Sequence, residues 1–297
     1  MKLGAPNRIG PRLKSSNFVH LRQDGVSFLV SLAPELVRII HWGEDLGDIK
    51  DFESYLAASI EPTAHAEGDS PDQSGIWREQ ARGAIGSPVL KGHRKGQDFS
   101  PLFVPTSHTA TEQELVVVGE DVAAGLRIET SFGFVGAGVF VTSQTVTNIG
   151  HGDYYLEDLA TYLPLPDRAQ ESLDFAGRWV KERQPVRREI QPGVVSREVR
   201  EGRTSHDYTI LQLAMTNAAT FRNGEVWSLG LMFSGNSRHT IEQLQSGRKS
   251  ISASELLMPG EMILEPGQSY EAAPVAAIYS NSGIDGTSDR SYRWLRS

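Results

Sequence analysis

The chain of 297 residues contains 29 Lys and Arg against 37 Asp and Glu, a formal net charge of −8 at pH 7. This acidic balance argues against a nucleic-acid partner, because phosphate binding requires a basic face. The absence of cysteine excludes disulfides, thiolate metal sites and cysteine nucleophiles. No apolar run approaches the roughly 18 residues of a transmembrane helix, so no membrane partner is expected.

The N-terminal third begins with a loose arm at residues 1–16, which contain Pro6, Gly10 and Pro11 and little apolar pattern. This N-terminal segment lacks the apolar h-region of a secretory signal. Together with the lack of cysteine, this leads us to expect a cytoplasmic protein. Residues 26–32 and 36–42 are predicted strands joined by a hairpin-like turn. Residues 51–57 are a predicted short helix capped by Asp48 or Asp51. Residues 61–86 are predicted to be a long polar loop.

From residue 115 onwards the pattern is regular β. Alternating and β-branched segments predict successive antiparallel strands, and an apolar run closing on Gly235-Asn236 predicts a buried strand. Pro followed by Gly predicts tight turns at 258–261 and 265–268. Thr287 or Ser288 is the predicted cap of a short C-terminal helix. The predicted strands are residues 115–118, 126–134, 138–148, 154–165, 172–175 and 225–234.

Motifs of self-sufficient catalysis are missing from the sequence. Consecutive side chains diverge, so Ser205, His206 and Asp207 cannot form a relay, and the eight histidines lack the paired spacing of metal ligands. We therefore predict no metal site and no cofactor. Carboxylates are plentiful, but any pair chosen as a catalytic acid and nucleophile would be arbitrary, so no catalytic residue is assigned.

Two clusters of arginine, at residues 183–188 and 197–203, are interleaved with glutamate. We predict that they form a salt-bridged solvated face or an interface.

A series of distinctive motifs follows along the chain. They are Arg-Ile-Ile-His-Trp-Gly at 38–43, Gly-His-Arg at 92–94, Asp-Phe-Ser-Pro at 98–101, Arg-Trp with Glu-Arg at 178–183, the Arg- and Glu-rich block ending Thr-Ser-His at 197–206, Gly-Glu-Val-Trp at 224–227, Phe-Ser-Gly-Asn at 233–236 and Pro-Gly-Gln-Ser-Tyr at 266–270. In this combination and order they resemble the N-terminal domain of family 36 glycoside hydrolases, the α-galactosidases, from about residue 17 to residue 296.

The resemblance implies an all-β fold, a large two-sheet β-supersandwich of the galactose mutarotase-like kind, over residues 17–286. It implies that residues 287–297 begin a helix leading to a (β/α)8 barrel, which would carry both catalytic aspartates. The chain is then expected to be inactive alone and to serve an enzyme that hydrolyses terminal α-galactosides such as melibiose and raffinose with retention. Its implied partners are that barrel, neighbouring subunits and galactosides.

In the family, loops of this part of the sandwich approach the mouth of an active site, which makes Trp42, Asp45, Trp77, His93 and Arg94 the candidates for a substrate-side rim. An aromatic ring can cover the apolar face of a galactosyl ring while Arg, Asp and His bind its hydroxyls. Packing is the competing explanation for both tryptophans. Two other functions stay open, a stand-alone lectin-like carbohydrate-binding module and a purely structural assembly domain.

Overall fold

The computed structural model describes residues 17–60, 74–207 and 211–297, and these residues are mostly β-strands, as predicted. Two short helices, α1 (Phe52–Ser59) and α2 (Gly283–Leu295), and a 3₁₀ turn (Gln80–Arg82) complete the secondary structure. The strands are β1 (Phe18–Gln23), β2 (Val26–Ala33), β3 (Leu36–Glu44), β4 (Leu90–His93), β5 (Val104–Ala110), β6 (Glu114–Asp121), β7 (Leu126–Gly136), β8 (Val139–Asn148), β9 (Tyr154–Leu159), β10 (Thr161–Leu165), β11 (Ala169–Arg178), β12 (Lys181–Glu189), β13 (Gly193–Val199), β14 (Leu211–Thr216), β15 (Val226–Leu231), β16 (Ser237–Gln243), β17 (Lys249–Glu255), β18 (Met262–Leu264), β19 (Ser269–Glu271) and β20 (Val275–Ser280).

Antiparallel pairing arranges the described strands in four hydrogen-bonded sheets. The largest has ten strands, nine of them in the order β12-β11-β14-β15-β20-β8-β7-β6-β5, with β19 paired to β8. A four-stranded sheet has the order β10-β17-β16-β13, and two three-stranded sheets have the orders β1-β2-β3 and β18-β9-β4. The all-β architecture predicted from the sequence is therefore confirmed.

The core lies between the inward faces of these sheets, because successive side chains of a strand point to opposite faces. In β8, for example, alternate residues are buried. Three phenylalanines join the first hairpin to the large sheet: the Phe28 ring centroid lies 4.2 Å from that of Phe140 and 5.1 Å from that of Phe132. Trp227 of β15 is fully buried in the same cluster.

Several local predictions are confirmed. Strands β2 and β3 form the expected hairpin, and α1 is capped by Asp51, whose side chain accepts a hydrogen bond from the Ser54 amide. Both Pro-Gly turns close as predicted: the Glu261 amide donates to the Met258 carbonyl and the Gln268 amide to the Glu265 carbonyl, each at 2.9 Å. Gly260 and Gly267 supply the positive φ, at 77° and 84°.

The single strand predicted over residues 154–165 is wrong, because the segment forms two strands in different sheets. Strand β9 pairs with β4 and β18, whereas β10 pairs with β17. The break falls at Ala160, whose amide donates to the Val89 carbonyl and whose carbonyl accepts from the Gln144 side chain. These partners lie far along the chain, so the local pattern gave no sign of them.

The C-terminal helix begins at Gly283, four residues before the predicted cap. A loop from elsewhere in the chain satisfies the first amides of α2: Gly283 donates to the Gly224 carbonyl, Ile284 to the Thr220 carbonyl and Asp285 to the Phe221 carbonyl. These tertiary bonds replace the side-chain cap that the sequence-based prediction required. Other strands ended away from their predicted limits; β15, for instance, stops at Leu231 instead of continuing to residue 234.

The predicted arm 1–16 and residues 61–73 of the predicted polar loop lie outside the described residues. The remainder, residues 74–86, is a loop as predicted, with one 3₁₀ turn, but its central residues are buried. Ile76, Trp77, Arg78 and Glu79 are each no more than 4% exposed. This segment covers sheet surface instead of extending into solvent.

Candidate functional site

The five rim candidates lie in separate parts of the fold. Trp42 and Asp45 lie at the end of the hairpin β2–β3. Trp77 packs against β6 and β7, and His93 and Arg94 lie at the end of β4. The structure therefore does not gather the five side chains around one pocket of this chain.

Both tryptophan candidates are buried. Trp42 is 3% exposed, and its carbonyl accepts a hydrogen bond of 3.1 Å from the Trp227 indole. Trp77 is 4% exposed and donates from Nε1 to Thr130 Oγ1 at 3.0 Å. In this chain neither ring presents a face to solvent, so both tryptophans pack in the core.

Asp45 is the hydrogen-bonded centre of a partly exposed cluster. Its carboxylate accepts two bonds from Arg22, at 2.7 and 2.8 Å, one from Ser27 Oγ at 2.8 Å and one from the Gly47 amide at 3.2 Å. The hydrogen bonds from Arg22 hold the pKa of Asp45 well below its usual value. Asp45 therefore stays ionised and ties the chain after β3 to β1 and β2.

Arg94 forms hydrogen bonds mainly with backbone carbonyls. Its guanidinium donates to the carbonyls of Ala124, Gly125 and Gly152 and to Asn148 Oδ1, and it lies 5.4 Å above the Tyr154 ring. One side chain thus ties together two turns, at 124–125 and 148–152. Five fixed N–H groups in a planar fork suit Arg to this task.

His93 is the most open of the polar candidates. Its ring stacks on Tyr155 with centroids 5.4 Å apart, and Nδ1 accepts a hydrogen bond from the Gly96 amide. Nε2 lies 3.7 Å from a carboxylate oxygen of Glu157. About a third of the His93 side chain is exposed, so this pair of stacked rings with an acidic neighbour forms an accessible polar edge.

The motif residues in the last third of the chain have a structural role. Glu225 accepts both bonds of a bidentate pair from Arg168, at 2.5 and 2.9 Å, and a further bond of 2.7 Å from the Tyr279 hydroxyl. The Arg168 guanidinium also lies 5.2 Å above the Trp227 ring. The Gly-Glu-Val-Trp motif thus locks β15 to its neighbours.

The arginine clusters are salt-bridged, as predicted. Arg187 pairs with Glu171, and Arg188 and Arg197 both approach Asp174. Most of these groups lie on β11, β12 and β13, which the sequence-based prediction missed or shortened because their exposed charged residues hide the β pattern.

A polar cavity missed by the sequence reasoning lies against the four-stranded sheet. Its volume is about 270 Å³, and Arg78, Lys91, Asp158 and Arg238 are among the side chains that line it. Arg78 forms a buried ion pair of 2.7 Å with Glu242. The Ser-x-Ser-x-Ser alternation at 250–254 was a readable signal of a polar sheet face, but the residues that cover that face come from distant segments.

Within residues 17–60, 74–207 and 211–297, no group of three or more His, Asp or Glu is placed to hold a metal ion. The same ranges contain no helix with the length and apolar character needed to cross a membrane. The fold and the site together describe a β-sandwich domain in which the candidate residues serve mainly as framework.

Comparison with known proteins agrees with this description. The sequence profile of the glycosyl hydrolase family 36 N-terminal domain matches residues 35–265. The chain therefore belongs to the family of glycosyl hydrolase family 36 N-terminal domains.

Among curated proteins, an α-galactosidase of Escherichia coli is 33% identical over 282 residues, which are 95% of this chain and 39% of that protein. A probable α-galactosidase G of Emericella nidulans is 29% identical over 205 residues, 67% of this chain and 27% of that protein. The chain thus spans about two fifths of the length of the bacterial relative and less of the fungal one.

Solved structures show the same fold. The α-galactosidase AgaA of Geobacillus stearothermophilus in complex with raffinose superposes with a TM-score of 0.82 at 21% identity, covering 94% of this chain and 43% of that one. The α-galactosidase of Lactobacillus brevis gives a TM-score of 0.83 at 18% identity, covering 96% of this chain and 42% of that one.

Proposed function

We propose that this chain is the non-catalytic N-terminal domain of a retaining α-galactosidase that hydrolyses terminal α-galactosides of the melibiose and raffinose type. The observation that carries the proposal is the family match over residues 35–265 in a chain that spans only 39% of its E. coli relative. The catalytic (β/α)8 barrel is proposed to lie in the part of the enzyme that this chain does not contain.

The ion pairs around the polar cavity support a non-catalytic role. Asp158 and Glu198 both bind Arg238, at 2.7 and 2.9 Å, and Glu242 binds Arg78. A retaining glycosidase needs one carboxylate free to attack and another free to donate a proton. Each carboxylate of this cluster is instead held by a cation.

Helix α2 supports a docking role for the C-terminal end. Its inner side packs on β15 and β20 of the large sheet, while Tyr292 and Leu295 are 58% and 72% exposed. Exposed large apolar side chains on one helix indicate an interaction surface. We assign this surface to the catalytic barrel.

The proposed rim of the active site uses the five candidates in two ways. We place Asp45 and His93, whose side chains are about a third exposed, at the rim of the galactoside site of the barrel of this or a neighbouring subunit. Trp42, Trp77 and Arg94 hold the hairpin and turns that position them. A cytoplasmic location and an oligomeric enzyme belong to the same proposal.

The decisive experiment is hydrolysis of p-nitrophenyl α-galactoside by the 297-residue chain and by the complete product of its gene. We expect no turnover by the chain and retaining hydrolysis by the complete product. Turnover by the chain alone would contradict the proposal, as would a complete product that folds but lacks α-galactosidase activity.

A further inference from the structure

One face of the four-stranded sheet is unusually polar for a surface that is largely covered. Strand register aligns Tyr162, Ser252, Thr240 and Ser196 in one row across β10, β17, β16 and β13. The adjacent row contains Ser254, Arg238 and Glu198, and the row on the other side contains Ser250, Glu242 and Val194.

The opposite face of the same strands is apolar. Leu163, Ile251 and Ile241 alternate with the polar residues and are at most 2% exposed in the main core. The sheet is therefore amphipathic in the normal way. What sets it apart is that its polar face is also covered, with Ser254 2% and Thr240 8% exposed.

The cover comes from two distant segments. Arg78 lies 4.7 Å above the Tyr162 ring and donates to Ser250 Oγ at 3.2 Å. Ser87 donates its amide to Glu242, and Lys91 and Asp158 line the space beside it. Between cover and sheet remains the cavity of about 270 Å³.

The charges of the cavity balance. The lining cations Arg78, Lys91 and Arg238 each lie within 3.5 Å of a carboxylate oxygen: Lys91 and Arg238 pair with Asp158, Arg238 also pairs with Glu198, and Arg78 pairs with Glu242 beside the cavity. Because the charges compensate one another, the cavity favours a neutral ligand over a phosphate or a cation.

The hydroxyl-bearing residues Ser196, Thr240, Ser252 and Ser254 line the cavity beside the paired charges. A hydroxyl both donates and accepts hydrogen bonds, so a hydroxylated ligand can bind to hydroxyls and charged groups alike.

We propose that this cavity is a binding site for a neutral, hydroxyl-rich small molecule about the size of one sugar ring. Its volume lies just below the range of about 300–1,000 Å³ typical of sites for larger ligands, which suits a monosaccharide better than an oligosaccharide. Ser196 and the 54%-exposed Val194 lie at the β13 edge and mark the entrance. The hydroxyls of Ser252, Ser254 and Thr240 form the floor.

The test is calorimetric titration of the 297-residue chain with D-galactose, D-glucose and myo-inositol, with inorganic phosphate as the anionic probe. We expect saturable binding of at least one neutral probe with a Kd of about 1 mM or tighter, and none of phosphate. The double variant Ser252→Ala/Ser254→Ala should weaken binding about tenfold, because it removes two hydroxyls without filling the cavity.

A matched control is Ser31→Ala/Ser228→Ala, which removes two buried hydroxyls from other sheets and should leave the affinity unchanged. Circular dichroism establishes that both variants fold. The proposal is overturned if no neutral probe binds, if phosphate binds in preference, or if the cavity variant binds as the control does. Failure of this proposal is distinguishable from failure of the proposed function, because the titration measures binding and the galactosidase assay measures turnover.

Discussion

At the scale of single residues, hydrogen bonds of charged side chains fix the connections between strands and turns. Asp45 binds Arg22, Ser27 and the Gly47 amide, and Arg94 binds two turns that are remote in sequence. Such side chains act as fixed cross-links, since breaking one leaves several donors or acceptors without partners.

Asp45 makes stability depend on pH. Hydrogen bonds from Arg22 keep its pKa in the folded state below the usual 3.8. The ionised group therefore stabilises the fold above about pH 3.8, and this contribution is lost as the pH falls from there through the lower, folded-state pKa. We expect Asp45→Asn to lower the free energy of unfolding by about 1–2 kcal/mol near neutral pH and by progressively less below about pH 4.

Urea unfolding at about pH 7 and about pH 3 measures this difference. Asp48→Asn is the matched control, because Asp48 also binds Arg22 but its side chain is 96% exposed. Its effect should stay below about 0.5 kcal/mol at both pH values. An Asp45→Asn effect of equal size at both pH values would contradict the explanation.

At the scale of elements, close packing between a strand and a covering segment fixes small residues. Gly119 of β6 lies directly under the Trp77 indole, and a Cβ atom there would come within 2.3 Å of the ring. Strand β6 can therefore accept the covering segment only with a hydrogen atom at this position.

Gly119→Ala should lower the free energy of unfolding by about 1–3 kcal/mol, because the indole must move from its site beside Thr130. Gly133→Ala in the neighbouring strand β7 is the control, since the nearest atom to its Cβ would be 3.5 Å away. Thermal unfolding measures both. Equal stability of the two variants would show that the Trp77 segment does not pack on β6 as the structure has it.

At the scale of the whole molecule, the exposed face of α2 bears on the proposed docking of a barrel. If that face is an interface left open in the isolated chain, it should promote self-association. We expect Tyr292→Lys/Leu295→Lys to reduce association at high protein concentration without changing the midpoint of unfolding.

Sedimentation velocity over a concentration series measures this association. Val122→Lys is the control, because Val122 is 84% exposed but lies on a loop away from α2. A wild-type chain that stays monomeric throughout, or equal association of both variants, would remove the support that α2 gives to the docking proposal.

Sequence reasoning predicted well where the information is local. The Pro-Gly turns at Gly260 and Gly267 follow from backbone sterics, and the Asp51 cap follows from side-chain hydrogen bonding. The hairpin β2–β3 follows from two apolar segments separated by a short turn. Motif resemblance supplied the family, which no count of strands could have done.

Sequence reasoning could not predict which distant segments would pair with one another. Nothing within residues 154–165 shows that β9 and β10 join different sheets, and nothing before Gly283 shows that the 220–224 loop will start α2. Trp42 and Trp77 are residues of a type that can stack on a sugar ring. Their burial, which depends on residues distant in the chain, makes them core residues instead. The polar cavity has the same origin, because strand register and covering segments created it.

By itself, then, the sequence determined the all-β class, the turns and the family, because local backbone preferences and motif order are written in adjacent residues. Tertiary structure alone decided which sheet each strand joins, which aromatic rings are buried and where a polar cavity opens. The physical reason is that these features depend on contacts between residues far apart in the chain, and many different pairings satisfy the same alternating pattern.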